Sequence, residues 1–432
     1  MSVRSWGNYP KVHATAHRFR DLDALRWLLA RKTDYIARGN GRSYGDSSLY
    51  ENLLDVRPYD YFLAFDEQDG TISVQAGALL ADILELIVPN GWFLPTTPGT
   101  RYVTVGGAIA SDVHGKNHHL DGSFCRYVTE FSMMLAGGDI VTCSRGENED
   151  LFRATCGGMG LTGIILSATI RLRRISSSLV DCTIVKTTNL DETLQAFETY
   201  KDRPYSAAWI DAIARGNALG RGLVSIGEHA EAGPCRYESR RRLPVPFNLP
   251  SLTLNSLAVR LFNTLYYKVA ADGERTRKLT IDDFFYPLDA VPHWNRIYGR
   301  KGFIQYQFVL PRDKGRDGLH EILATVGRSG QAAPLAVLKL LGEGNDNWLS
   351  FPLHGYTLAL DFRITKKLFK FLPALDDIVV RHGGRFYLAK DARVPRETFE
   401  AGYEHIDRFR ALREQYRMNT KFNSLQSKRL GI

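Results

Sequence analysis

Tyr35-Ile36-Ala37-Arg38-Gly39-Asn40-Gly41-Arg42-Ser43-Tyr44-Gly45-Asp46 runs from a short strand pattern into a loop bracketed by glycines. The loop offers backbone N–H groups, a hydroxyl and a guanidinium, the parts of a pyrophosphate cradle. It is not a Rossmann fingerprint, which needs a third glycine opening a long helix, and it lacks the lysine of a P-loop. Alone, the loop does not fix the ligand. The segments around it narrow the choice.

Upstream, Asp21–Arg31 reads as a polar helix. Downstream, Thr71-Ile72-Ser73-Val74-Gln75-Ala76-Gly77 alternates like a half-buried strand, and Asp82–Ile87 reads as a helix that stops at Pro89-Asn90-Gly91. From Pro98 to Ile175 glycines become dense. Gly137-Gly138 fits an ordinary turn between strands, whereas the clusters at 99–115 and 157–163 suggest backbone wrapped closely around a ligand. Two stretches stand out there. Thr96-Thr97-Pro98-Gly99 leads through Val103-Thr104-Val105-Gly106-Gly107-Ala108-Ile109-Ala110 to Asp112-Val113-His114-Gly115-Lys116-Asn117-His118-His119, and Cys156-Gly157-Gly158-Met159-Gly160-Leu161-Thr162-Gly163-Ile164 closes the segment.

In order and spacing these three elements resemble the PCMH-type FAD-binding domain of the vanillyl-alcohol-oxidase superfamily. Within it, Val113-His114-Gly115-Lys116-Asn117-His118-His119 and Tyr387-Leu388-Ala389-Lys390-Asp391 are most similar to the decaprenylphosphoryl-β-D-ribose 2-oxidase family. The resemblance covers nearly the whole chain and is weakest in the centre. It implies an α+β fold of two domains: a split FAD-binding domain at 1–177, a substrate domain with an antiparallel sheet at 178–384, and a segment at 385–432 that returns to the first. It further implies that Ala37 through Asp46 hold the FAD pyrophosphate. Gly99, Thr104 through Gly107 and Ser111 through Asn117 (Ser111, Asp112, Val113, His114, Gly115, Asn117 as cofactor contacts) enclose the rest, with Ile164 and Tyr387 against the flavin. Many members tether the flavin through a histidine in the first loop. Arg42 stands at that place here, so a noncovalent FAD is expected.

Lys390 and His114 are the expected catalytic residues. An alcohol gives up its C–H hydride to flavin N5 more readily when its O–H proton is being removed, so a base or fixed cation must lie near that oxygen. A lysine serves as base only if its surroundings lower its pKa. Without the resemblance, Lys390 reads better as a surface lysine at a strand end paired with Asp391. Lys116 and Lys339 are expected to grip a sugar phosphate, and Trp209 and Gln307 to line the sugar pocket, although both could be core residues. Thr357 and Ala359 replace an asparagine and a cysteine of the mycobacterial enzymes, which alters the pocket wall. The three histidines invite a metal reading, but the glycine-rich setting and the lack of a spaced carboxylate speak against it. No metal is expected.

The implied activity is oxidation of the C2 hydroxyl of a polyprenyl-phosphoryl-β-D-ribose to the 2-keto intermediate of an epimerisation, completed by a separate short-chain reductase. The alternatives are a soluble sugar, alditol or aldonolactone oxidase using oxygen, and a non-catalytic flavin-binding interaction protein. Composition agrees with an anionic ligand: 432 residues, a formal net charge of +9 and 44% hydrophobic residues describe a globular basic chain. Nucleic acid is not expected, because zinc-finger, RNA-binding and helix-turn-helix signatures are missing. Five widely spaced cysteines fit a reducing compartment, and neither a signal peptide nor a spanning segment is evident. The expected location is cytoplasmic, with peripheral contact at the inner membrane face and a periplasmic site left open. That contact falls on 236–268, where Arg240-Arg241-Arg242, a proline-rich apolar loop and a stripe of Leu254, Leu257, Leu261, Phe262 and Leu265 suggest either a surface helix for anionic lipid or a helix packed on the core.

Overall fold

The computed structural model describes residues 1–238, 243–250 and 255–432; Arg240-Arg241-Arg242 and Leu254 lie outside the described residues. Near the N-terminus, a parallel sheet places Asn52–Asp55 between Thr15–Arg18 and Ile36–Arg38. An antiparallel sheet follows in the order Ile140–Ser144, Val128–Met134, Ile164–Arg171, Thr71–Gln75, Phe62–Asp66. The alternation read at 71–77 becomes the strand Thr71–Gln75, with Ile72 and Val74 buried. Asp21 caps the helix Leu22–Ala30 by accepting the Ala24 N–H at 2.7 Å, satisfying a donor that the first helical turn leaves unpaired. The second expected helix forms at Leu80–Ile87.

An eight-stranded antiparallel sheet occupies the centre, in the order Glu274–Thr280, Leu179–Thr187, Gly222–His229, Tyr205–Ile210, Ala336–Leu341, Gly355–Arg363, Phe303–Pro311, Arg385–Phe386. Successive side chains of a strand point to opposite faces, and the sheet uses both. On Phe303–Pro311, Tyr306 and Leu310 meet the helices Lys366–Arg381 and Arg312–Ser329, through Asp376 and Gly318 respectively. Gln305 and Gln307 face a cavity on the other side. Register then aligns Gln307 with Ala359, Ala359 with Val337, and Val337 with Trp209. Opposed residues share a face, so one row runs from Gln307 across three neighbouring strands to Trp209.

The chain ends by returning to its beginning. Phe422 bridges Tyr35 in parallel, and Gln426 Nε2 donates to the Leu388 carbonyl at 2.8 Å. Arg429 joins the two halves, donating to Asp46 Oδ1 and Asp391 Oδ2 at 2.8 Å each. Among the described residues no helix is long and apolar enough to cross a membrane.

Candidate active site

The glycine loop, the 98–114 segment, the 159–165 segment and the cavity face of the central sheet line a common cavity. Local chemistry explains its wall. Gly41 has φ +63, a backbone region that side chains disfavour. A Cβ at Gly99 would meet nothing within 4 Å, so this glycine leaves room for a ligand instead of accommodating protein. Gly45 does the opposite. A Cβ there would lie 1.5 Å from the Asp391 carbonyl oxygen, and the neighbouring Tyr44 N–H donates to the Ala389 carbonyl at 3.0 Å. The pyrophosphate-type loop is thereby fitted against the turn that carries Lys390.

Lys390 is half-buried in the cavity wall with its Nζ 3.6 Å from the centroid of the Tyr44 ring. Burial pulls its pKa down to about 7, opposed by the Asp361 carboxylate and reinforced by Lys339. Asp361 is fully buried; loss of water lifts its carboxyl to about 7 against the Gln305 hydrogen bond and Lys390. Gln305 Nε2 donates to it at 2.7 Å and Tyr298 Oη at 3.2 Å. Lys339, also lining the cavity, is lowered to about 8 by burial and then by Lys116. His114 sits among these cations. Burial, Lys339, His118 and Lys390 all hold it well below the usual imidazole range, so it is neutral. Gln307 Nε2 donates to His114 Nε2 at 3.2 Å, which puts the ring proton on Nδ1, where it has no protein partner. Tyr387 packs 5.1 Å from the His114 ring and donates its hydroxyl to the Ser111 carbonyl at 3.0 Å.

Of the residues read from sequence as cofactor contacts, Ala37, Gly39 through Tyr44, Gly99, Thr104, Gly106, Gly107, Ser111, Val113, His114 and Tyr387 line this cavity. Eight others stand behind it. Arg38 braces the loop by donating to the Ser48 and Arg4 carbonyls. Gly45 and Asp46 dock the C-terminal segment, as described. Val105 is a core residue of a short helix. Asp112, buried at φ +37, accepts hydrogen bonds from Asn345, Asn347 and Ser350 and so fastens a loop of the central domain. Gly115 abuts the Thr97 backbone, and Asn117 donates to the Pro95 carbonyl and to Asp121. Ile164 points into the core, while its neighbours Gly163 and Ile165 line the cavity.

Among the expected substrate contacts, Gln307, Lys339 and Lys390 line the cavity. Lys116 does not line it and is half-buried, donating to the Phe284 carbonyl with its Nζ 4.2 Å from the Phe284 ring centroid. Trp209 lies one position beyond Val337 on the cavity face and meets Tyr266 at 4.8 Å. Ala359 lines the cavity; Thr357 is buried and accepts from Gln307. Lys390 makes no pair with Asp391, whose carboxylate is engaged by Arg429. Four functional candidates were missed: Trp6, Gln305, Asp289 and Asp361. Trp6 stacks under the Arg42 guanidinium at 4.1 Å, and Asp289 accepts the Arg101 N–H at 2.9 Å. Strand alternation around Gln307 points to Gln305; for Trp6 the sequence holds no signal. His118 Nδ1 accepts the Gly342 N–H and His119 Nε2 meets the Arg203 carbonyl, so the histidines diverge. Among the described residues no cluster of three or more His, Cys, Asp or Glu could hold a metal ion.

The wall suits FAD. Arg42 Nε and His114 Nδ1 are buried donors without a protein partner, and Gly99, which lines the same cavity, opens onto free space. Residues 22–144 match the FAD binding domain family. The chain is 37% identical over 450 residues to the decaprenylphosphoryl-beta-D-ribose oxidase of Mycolicibacterium smegmatis, covering 100% of this chain and 97% of that one. A protein of Streptomyces coelicolor, described as an uncharacterized protein in the mprA 5'region, is 35% identical over 369 residues, 81% of this chain and 99% of its own. L-gulonolactone oxidase of Bos taurus is 24% identical over 433 residues, 96% and 93% of the two chains. The chain thus belongs to the decaprenylphosphoryl-β-D-ribose oxidase family: it is an FAD-dependent oxidoreductase that holds its flavin noncovalently on a split α+β fold and oxidises a sugar or alcohol.

Proposed function

We propose that the chain oxidises the C2 hydroxyl of a polyprenyl-phosphoryl-β-D-ribose to the 2-keto sugar. The observation that carries this reading is the pair of half-buried lysines, Lys390 and Lys339, on one cavity wall. A neutral sugar offers nothing to offset the desolvation of the Lys339 ammonium, whereas a phosphodiester does, leaving Lys390 as a free base. Bound flavin supplies the two-electron acceptor. Lys390, already inclined to be neutral near pH 7, takes the hydroxyl proton as the C2–H bond breaks and the carbonyl forms. Lys339 stays largely protonated at that pH and holds the phosphate. His114 is neutral and offers its Nδ1–H, while Gln307 fixes its ring. A separate short-chain reductase then reduces the ketone to complete an epimerisation. Thr357 and Ala359 set the shape of the sugar subsite.

The test is anaerobic bleaching of the bound flavin by a short-chain polyprenyl-phosphoryl ribose in detergent, against free ribose, alditols and L-gulono-1,4-lactone. Rapid bleaching by the phosphoryl ribose alone is expected. Faster bleaching by the lactone or an alditol would replace this reading with that of a soluble sugar oxidase, and a flavin bleached by none of them would indicate a non-catalytic protein.

A further inference from the structure

The helix Ser256–Val269 is inside out. Its polar side is the one fastened to the protein: Asn263 is buried and donates to Asp211 Oδ1 at 2.8 Å, Tyr267 donates to the Thr187 carbonyl at 3.1 Å, and Val259 is buried beside them. At about 100° per residue, the opposite side carries Leu257, Leu261, Leu265 and Lys268 in line, flanked by Phe262 and Val269. These five apolar residues are between 53% and 85% exposed. Isolated exposed leucines need no explanation, but a continuous apolar helix face does. Of the two alternatives left by the sequence, packing of this stripe on the core is not the arrangement found.

The face is joined to the cavity. Phe262 stacks on Tyr266, Tyr266 meets Trp209, and Trp209 continues the row through Val337 and Ala359 to Gln307. A second exposed apolar element, Leu243 and Phe247, is held by Arg296, which donates to the Val245 and Pro246 carbonyls. Arg296 shares a short helix with Trp294 of the cavity wall.

We propose that this face docks on an anionic lipid bilayer, so that a lipid-borne substrate passes along the Tyr266–Trp209–Val337 row into the cavity. The proposal rests on the substrate reading given above. Charge selects the bilayer over a protein partner: Lys268 is exposed within the apolar face itself, and the chain carries a net charge of +9. Lysines among apolar side chains reach lipid headgroups while their stems lie in the hydrocarbon boundary.

The test is sedimentation of the full-length holoenzyme with phosphatidylcholine vesicles, with and without phosphatidylglycerol, for the wild type, Leu261→Ser/Leu265→Ser and Lys268→Glu. Both leucines are exposed, so the double variant should keep its flavin and its bleaching by detergent-dispersed substrate. Binding to mixed vesicles should fall at least about tenfold in the double variant, and Lys268→Glu should weaken it on anionic vesicles alone. Equal sedimentation of the double variant, no sedimentation of the wild type, or a wild-type dimer that Leu261→Ser/Leu265→Ser dissociates would each overturn the proposal. Bleaching in detergent judges the substrate separately. Vesicle binding without such bleaching leaves the docking surface standing and removes its link to substrate delivery.

Discussion

Replacing the groups around Lys390 should move the pH dependence of catalysis in opposite directions. At pH 8 an amine of pKa about 10.5 is about 0.3% neutral, whereas one at about 7 is about 90% neutral, so burial makes this base about 300-fold more available. Since kcat/KM reports the free enzyme, it should rise as pH climbs through about 7, the inflection at which Lys390 gives up its proton, and fall again through about 8 as Lys339 loses the charge that holds the phosphate. Asp361 raises the Lys390 pKa and Lys339 lowers it. Asp361→Asn should therefore shift that inflection to lower pH, and Lys339→Met to higher pH, whatever either does to the maximum. Lys390→Met, of similar length, should erase the inflection and cost about 10²- to 10⁴-fold in kcat/KM while the flavin stays bound. The measurement is the initial rate of flavin bleaching across pH under anaerobic conditions. An inflection that neither Asp361→Asn nor Lys339→Met moves, or one that survives in Lys390→Met, refutes Lys390 as the base.

Two glycines, one behind the cavity and one lining it, should respond differently to alanine. Gly45→Ala meets the Asp391 carbonyl at 1.5 Å, a backbone obstacle, and should lower the apoprotein Tm and cost at least about 1–3 kcal/mol. Gly99→Ala meets only open space and should leave the apoprotein Tm alone while weakening FAD in a titration. Arg429→Met strips the buried carboxylates of Asp46 and Asp391 of their shared cation. Chemical denaturation should show a loss of about 3–5 kcal/mol, with flavin released early because the Lys390 turn and the glycine loop separate; unchanged stability would refute the brace.

The glycine loop was legible because chemistry restricts what can surround a pyrophosphate, and Gly41 and Gly99 are where that restriction acts. Lys390 and His114 were legible only through family resemblance, since neither spacing nor composition separates a buried lysine from a surface one. The assignment of Ile164 failed on parity: the strand begins there, and alternation puts Ile165 at the cavity instead. Asp46 and Asp112 are polar residues in the right loops whose partners lie hundreds of residues away, at Arg429 for Asp46 and Asn345 for Asp112, whereas Arg38 is turned from the cavity by the nearby Ser48 and Arg4 carbonyls. Asp361 and Gln305 meet through strand register, which a single sequence does not reveal. The stripe in Ser256–Val269 was visible as a period, but period alone does not say which side faces in. Asn263 on Asp211 decides that.

The most direct test of the central claim follows the flavin in Lys390→Met after mixing with short-chain polyprenyl-phosphoryl ribose without oxygen. A yellow protein with normal FAD occupancy that the sugar no longer decolourises is the expected result. Decolourisation at the wild-type rate would contradict it.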